Sequence, residues 1–382
     1  MQTLPQMSNE LMVGDQAPLF YDARTLADAT INLSTVGGRW VVLCFLPSLS
    51  DENNVRALVA LLSEAKLFND DHLVFYGVLS QTPPEEKRLA DVSHKALGFI
   101  KDYSGDIARL YGAVNAPHMV VINPMLQIYA YFKIGEDGAA PEQLAAFIHK
   151  LPAVESYAGV SLSAPALIVP NIFEKEFCSY LIEQYTLNGG TDSGFMLDQD
   201  GKTRTVVDYS LKRRTDFNII EPELRQQMRA RIVRRLVPAI ERYFQYKPTR
   251  MDRCLVSCYD SVTGGHFSRH RDNLNAGARH RRFAVTINLN RDYDGCDLVF
   301  PEFGRRHYRA PEAGAVVFST SALHEVTPIT RGTRYAFIPF LYGEKDVEQR
   351  RKNNALLHKG EQLYIDGEDR LFPETEYKIS DN

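Results

Sequence analysis

The stretch APEAGAVVFSTSALHEVTPITRGTRYAFIPFLY (310–342) decides how the second half of the chain folds. Ala315–Phe318 and Tyr335–Leu341 are apolar runs of strand length, and His324 follows the first of them after a short turn. Upstream, Leu255–Tyr259, Phe283–Asn290 and Leu298–Phe300 repeat the same signal at close intervals. Helical segments come before them, near Phe173–Tyr185 and Pro222–Tyr246. Helices followed by a run of short strands predict a β-barrel or jelly roll with helical backing.

Residues from about 11 to 150 read differently. Val41–Leu46 and Leu73–Leu79 are continuous apolar runs, as in buried strands. Between them Asn54–Leu67 has a helical period through Val55, Leu58, Leu62 and Leu67. Met119–Asn123 and Ile128–Lys133 read as a hairpin, and Pro141–Leu151 as a closing helix. Parallel strands joined by helices, then a hairpin and a helix, predict a three-layer α/β sandwich. The small, polar stretch SYAGVSLSA (156–164) reads as a linker. The expected division is residues 1–155, a linker at 156–163, residues 164–345, and a polar extension at 346–382.

Composition agrees with two cores. A chain of 382 residues exceeds what one core usually serves. With 44% hydrophobic and 24% charged residues, a disordered or collagen-like chain is excluded. No apolar run reaches the ~18 residues that mark a membrane helix. The opening MQTLPQMSNE lacks a basic segment followed by an apolar one, so no secretory signal is expected. Five scattered cysteines, Cys44, Cys178, Cys254, Cys258 and Cys296, do not make a disulfide scaffold and point to a cytoplasmic setting.

Charge is uneven. Residues 1–160 carry 11 basic and 18 acidic residues, while 202–282 carry 19 basic and 8 acidic. Within that basic block, Leu224, Met228, Ile232, Leu236, Ile240 and Phe244 form a buried helical stripe. Arg225, Arg229, Arg234 and Arg242 fall off it, so a solvated helix face is favoured over a nucleic-acid surface. An aromatic platform for a flipped base is also missing from the block.

The sharpest chemistry lies between Tyr259 and Arg334. In His270-Arg271-Asp272 an imidazole and a carboxylate stand two apart, and on an extended segment both point the same way. His324 follows 52 residues after Asp272. Two histidines and a carboxylate on one side of an ion leave the opposite positions open, which suits non-heme Fe(II) better than a closed zinc site. Arg334, on the next predicted strand, can clamp a dicarboxylate, and Tyr259 can offer a hydroxyl from a neighbouring strand. The bland alternative has Asp272 capping a turn, His324 as a satisfied polar residue and Arg334 in an exposed ion pair.

Residues 164–343 resemble the 2-oxoglutarate and Fe(II)-dependent dioxygenases of the prolyl 4-hydroxylase type. The matching stretches are APALIVPNIFEKEFCSYLIEQ, YDSVTGGHFSRHRDN, NLNRDYDGCDLVFPEFG and APEAGAVVFSTSALHEVTPITRGTRYAF. Gly295-Cys296-Asp297-Leu298 stands where these enzymes commonly have Gly-Gly-Glu-Leu, and arginine replaces lysine at position 334. The resemblance implies a double-stranded β-helix, or jelly roll. It implies Fe(II) held by His270, Asp272 and His324, and 2-oxoglutarate anchored by Arg334 with Tyr259. Hydroxylation of a substrate C–H bond with O₂ would release succinate and CO₂, with ascorbate as a reductant. The substrate class is a peptide, protein or small molecule.

VGDQAPLF (13–20), GRWVVLCFLPS (38–48) and SGDIARLYG (104–112) resemble peroxiredoxins, which implies a thioredoxin-like sandwich. The peroxiredoxin Thr and peroxidatic Cys would fall at Asp51 and Asn54, counted from Pro47, so the thiol is missing. Cys44 lies within a buried strand. The expectation is a redoxin-like domain without thiol peroxidase activity, with a docking, dimerising or substrate-presenting role. The competing reading is a thiol redox protein whose C-terminal half is a binding module. Loops Leu187–Lys202 and Asn273–Arg281 are the candidate substrate loops, with Asn188–Gly201 as a lid.

Overall fold

A computed structural model describes residues 11–114, 117–134, 141–199, 201–359, 361, 363–365 and 367–372. The chain divides into two compact units, Met1–Ala164 with Phe300–Arg305, and Pro165–Val299 with Arg306–Asn382. The opening ten residues and 373–382 of the polar extension lie outside the described residues.

In the first unit, β1 (Trp40–Leu46), β2 (Leu73–Leu79), β3 (Leu97–Lys101), β4 (His118–Ile122) and β5 (Ile128–Lys133) form one sheet. The order is β3-β2-β1-β4-β5, parallel through β1–β3 and antiparallel at β4 and β5. Every residue of β1 and β2 is buried, as in parallel strands covered on both faces. Helix α1 (Glu52–Ser63) packs beside α2 (Pro141–Ile148). The helix expected from Asn54 starts at Glu52, because the Asp51 carboxylate caps it through the Asn53 and Asn54 amides. Beyond Ser63 it gives way to a 3₁₀ turn at Ala65–Leu67. In the stretch read as a linker, Tyr157 sets its ring edge-on to Trp40, 5.9 Å between centroids.

The second unit is built of two sheets backed by helices. Its strands are β6 (Ala166–Val169), β7 (Lys212–Arg213), β8 (Thr215–Asn218), β9 (Arg250–Asp252), β10 (Leu255–Asp260), β11 (His266–His270) and β12 (Phe283–Asn288). Then follow β13 (Leu298–Val299), β14 (His307–Tyr308), β15 (Ala315–Ser319), β16 (His324–Val326), β17 (Ile329–Phe337) and β18 (Phe340–Tyr342). The larger sheet runs β9-β18-β12-β17-β10-β8, and β15 joins β12 to β6; the smaller runs β7-β11-β16-β13-β14. The strand expected over Tyr335–Leu341 is split at Pro339, which has no N–H to offer a ladder.

Helices α3 (Lys175–Asn188), α4 (Pro222–Arg231) and α5 (Val237–Phe244) cover one face of the larger sheet. A π-turn at Ile232–Leu236 joins α4 to α5, where Pro238 withdraws a ladder donor. Phe177, Leu181, Met228, Ile232 and Ile240 pack there on Val256, Val285, Ile287 and Phe337. Strand alternation then turns Tyr259, Thr286, Asn288 and Arg334 to the other face.

Much of the basic block is paired within the chain. Arg231 and Arg235 share Glu174. Arg250 binds Glu344 and Asp369, and Arg282 binds Asp346. The region after residue 343 therefore supplies part of the counter-charge. It includes α6 (Val347–Asn353), whose Asn353 side chain reaches the Gly277 carbonyl and the His280 ring. Within the stretch nominated as a lid, Phe195–Gln199 pairs with Lys202–Val206 in a hairpin, Thr191–Asp192 pairs instead with Thr215–Asp216, and Asp200 lies outside the described residues. Asn275 and Ala276 hydrogen-bond onto this hairpin through the Met196 carbonyl and the Asp198 carboxylate, so the two candidate substrate loops are tied together.

Candidate metal centre

His270 ends β11 and His324 begins β16, and the two are register partners across the smaller sheet. Asp272 follows two residues after His270. The ligand atoms of all three lie within 4.8 Å of one another. His270 Nε2 is 3.5 Å and His324 Nε2 3.4 Å from the Asp272 carboxylate. The far ring nitrogens are occupied: His270 Nδ1 meets the Ser268 carbonyl at 2.7 Å, and His324 Nδ1 meets the Ala322 carbonyl at 3.0 Å. A carbonyl only accepts, so each Nδ1 carries its proton and each Nε2 lone pair is left facing the carboxylate.

The electrostatics suit a cation. Burial, then the neighbouring His270, pushes His324 down to about 4, so its ring is neutral at physiological pH. Burial works against ionisation of Asp272, but the His324 and His270 rings hold its carboxyl well below the usual range. Phe267 stacks on the His270 ring, 3.5 Å between centroids, and Phe318 meets the His324 ring edge-on, so apolar walls support both imidazoles.

The same cavity, about 70 Å³, is lined by Tyr259 and Arg334 from the larger sheet. These are also register partners, on β10 and β17. Arg334 is 4% exposed. Its guanidinium donates to Asn288 Oδ1 at 2.9 and 3.0 Å, to Thr286 Oγ1 at 2.7 Å and to Cys296 Sγ at 3.7 Å. None of these is a carboxylate, and burial pushes the Cys296 thiol and the Tyr259 and Tyr293 phenols up. A buried cation among neutral acceptors is a costly arrangement without an anionic guest. The Tyr293 hydroxyl, buried near enough to feel this charge, has no hydrogen-bond partner among the described residues.

All five residues singled out in the sequence line this one cavity. The sequence reading missed the charged segment beside them, Lys212 to Asp216, which runs from β7 into β8. Arg214 donates to the Tyr259 hydroxyl at 3.3 Å and to Asp216 at 2.7 Å; Ser257 also donates to Asp216. Burial opposes ionisation of Asp216, yet the Arg214 and Lys212 charges hold it down to about 2. Lys212 and Arg214 line the cavity too. The signal was present: in LKRRTDF (211–217), Lys212, Arg214 and Asp216 share one face at strand period.

Residues 254–342 match the 2OG-Fe(II) oxygenase superfamily, and residues 13–138 the AhpC/TSA family. A PKHD-type hydroxylase of Synechococcus sp. is 28% identical over 117 residues, 28% of this chain and 51% of the relative. The PKHD-type hydroxylase PiuC of Pseudomonas aeruginosa is 33% identical over 98 residues, 23% of this chain and 42% of the relative. The chain thus spans about half the length, or less, of these curated relatives. A solved prolyl-4-hydroxylase of Pseudomonas putida aligns with a TM-score of 0.36 and 16% identity, over 48% of this chain and 94% of that one. A prolyl hydroxylase from Trichoplax adhaerens, solved with a hypoxia inducible factor peptide fragment, aligns at 0.36 and 20%, over 49% and 86%. The chain therefore carries an AhpC/TSA-family domain followed by a 2OG-Fe(II) oxygenase domain.

Proposed function

We propose that this chain is an Fe(II)- and 2-oxoglutarate-dependent oxygenase that hydroxylates a C–H bond of a peptidyl substrate, prolyl included, or of a small molecule. The observation that carries this is one cavity holding both a His/Asp/His donor set and a buried guanidinium with no anion of its own. The donors fit the metal, since both Nδ1 atoms are taken by backbone carbonyls and both Nε2 atoms face a carboxylate held well below its usual pKa. His270, Asp272 and His324 would hold the iron. Arg334 would receive the remote carboxylate of 2-oxoglutarate, held in place by Asn288 and Thr286, and Tyr259 is steadied beside it by Arg214. Bound iron and 2-oxoglutarate supply the oxidising chemistry, consuming O₂ and yielding succinate and CO₂. Phe267, Leu298, Phe318 and Val326 give the cavity apolar walls that limit water around the reacting groups.

The two facing sheets support a double-stranded β-helix, or jelly roll, for the second unit, and the five-stranded sheet with its helices supports a thioredoxin-like sandwich for the first. The thiol-redox alternative gains nothing from Cys44, fully buried and pushed up to about 12 by that burial. At the position where a peroxidatic thiol is expected, the Asn54 amide donates to the Ser48 carbonyl at 2.8 Å. Docking or self-association through the first unit, ascorbate as reductant and a cytoplasmic setting belong to the same proposal. All five cysteines are unpaired, and among the described residues no helix is long and apolar enough to cross a membrane. The test is succinate release from 2-oxoglutarate by the purified chain with Fe(II). Release that needs iron and disappears in Asp272→Ala is the expected result; equal release by both proteins contradicts the proposal.

A further inference from the structure

The metal cavity holds more positive charge than the metal and cosubstrate assignments use. Its lining carries Lys212, Arg214, Arg253 and Arg334 against the single carboxylate of Asp272. In the reading above Asp272 serves the metal and Arg334 the cosubstrate, while Asp216 neutralises Arg214 at 2.7 Å. Lys212 and Arg253 remain.

Arg253 is the more telling of the two. Its guanidinium has no hydrogen bond and no ion pair among the described residues and stands over the Phe340 ring, 5.4 Å from the centroid. The nearest acid in sequence, Asp252, is already engaged by His280, Arg281 and Arg350. The backbone holds Arg253 at φ +63°, in the left-handed region that a non-glycine residue adopts at a cost. Burial, then the Arg281 charge, pulls its pKa down to about 10, against the opposing pull of the Asp252 and Asp216 carboxylates. Arg253 also lines a second, larger groove of about 490 Å³, so one side chain borders both the small metal cavity and space enough for a substrate. Lys212 is 3% exposed and among the described residues donates to neutral acceptors, Ser193 Oγ at 2.8 Å and the Gly194 carbonyl at 2.5 Å, while burial pulls its pKa well down against the Asp216 and Asp272 charges.

We propose, on the basis of the oxygenase reading, that the substrate bears a carboxylate, which Arg253, bordering both groove and cavity, receives with Lys212 adding to the field. The planar guanidinium fork matches a carboxylate bidentately and would hold the substrate's C–H-bearing part toward the His/Asp/His side of the cavity. Arg253 is thus a specificity residue for the substrate, distinct from Arg334.

The test uses the full chain with Fe(II) and 2-oxoglutarate, reading succinate release above the substrate-free level. Two matched panels serve as probes: N-acetylproline, N-acetylvaline and N-acetylleucine against their amides, and end-capped Ala-Glu-Ala and Ala-Asp-Ala against their Gln and Asn counterparts. The expected result is that an acid stimulates release at least about fivefold over its amide. For that acid, Arg253→Gln raises KM at least about tenfold, while Arg253→Lys stays within about threefold. A response confined to the first panel assigns a small free acid; one in the second assigns an acidic side chain in a peptide. The inference is overturned if amides stimulate as well as acids, if no acid stimulates, or if Arg253→Gln leaves KM within about twofold. It is also overturned if Arg253→Gln weakens 2-oxoglutarate itself about tenfold, which would make Arg253 part of the cosubstrate site. A parent protein that neither binds 2-oxoglutarate nor releases succinate contradicts the oxygenase reading instead, and the anaerobic Fe(II)–2-oxoglutarate absorption band separates the two failures.

Discussion

At the scale of single residues, Arg334 carries the sharpest quantitative expectation. Its partners are an amide, a hydroxyl and a thiol, so its charge awaits an anion. Removing one member of a buried charge pair costs about 3–5 kcal/mol, or two to four decades in affinity. Arg334→Ala should weaken 2-oxoglutarate by that amount with iron content unchanged, and Arg334→Lys by less, since charge survives and the fork does not. Calorimetric titration of 2-oxoglutarate into the two variants and the parent checks this; a change within about fivefold removes Arg334 from the site. Arg334, Tyr259 and the His/Asp/His set were legible because their spacing is local, or is anchored to a neighbouring strand signal. Asn288 and Thr286 were not, because a polar residue inside an apolar strand declares itself only when the opposite face is known to be filled. Lys212 and Arg214 were hidden by their surroundings: nineteen basic residues in one block read as a solvated surface, and charge counting does not show which of them turn inward.

At the scale of elements, the centre depends on two register pairs, His270 with His324 and Tyr259 with Arg334. Residues directly opposite on antiparallel strands share a face, so the pairings bring each couple together without further help. Strand positions were legible: Leu73–Leu79 and Ile128–Lys133 fall where the apolar runs end. Register was not, since it is set by partners far off in sequence. The clamp at His280 was also invisible. His280 is fully buried, with Asp252 on Nε2 at 3.3 Å and the Asn353 amide on Nδ1 at 3.0 Å, a pattern that requires the neutral ring. Burial pushes its pKa down from 6.5 to about 4. The unfolded chain therefore takes up this proton first as pH falls, so the clamp's contribution is complete above about pH 6.5 and is lost between 6.5 and 4. The loss is on the order of 3 kcal/mol at one pKa unit per ~1.4 kcal/mol. Metal-free parent should lose thermal stability over that range faster than His280→Gln, which starts less stable at pH 7 but lacks this proton uptake. His324 titrates alike in both proteins, so the difference isolates His280. Parallel pH profiles would show that the buried ring does not control acid stability.

At the scale of the whole molecule, the two halves of the chain match two different families. In the first, a mixed sheet is joined to a helix that Asp51 caps, and the Asn54 amide donates to the Ser48 carbonyl. Purified protein should therefore consume no hydrogen peroxide with a thiol reductant. Consumption that vanished in Cys44→Ser would make the buried Cys44 a nucleophile and overturn this. The first unit takes in Phe300–Arg305 as well as the residues up to Ala164, a division that the element pattern alone did not reveal. The fate of the chain's last forty residues was not legible either: composition alone did not reveal that Glu344, Asp346 and Asp369 return to neutralise Arg250 and Arg282.

The central claim is that His270, Asp272 and His324 form one iron site that shares its cavity with the cosubstrate anchor. Anaerobic titration of Fe(II) and then 2-oxoglutarate into the protein tests it most directly, following the visible metal-to-ligand charge-transfer band. The parent should bind one Fe(II) per chain and develop the band. His270→Ala, Asp272→Ala and His324→Ala should each lose stable iron and the band with it, while Arg334→Ala keeps the iron and needs far more 2-oxoglutarate. Iron held as tightly by all three triad variants as by the parent would contradict the account.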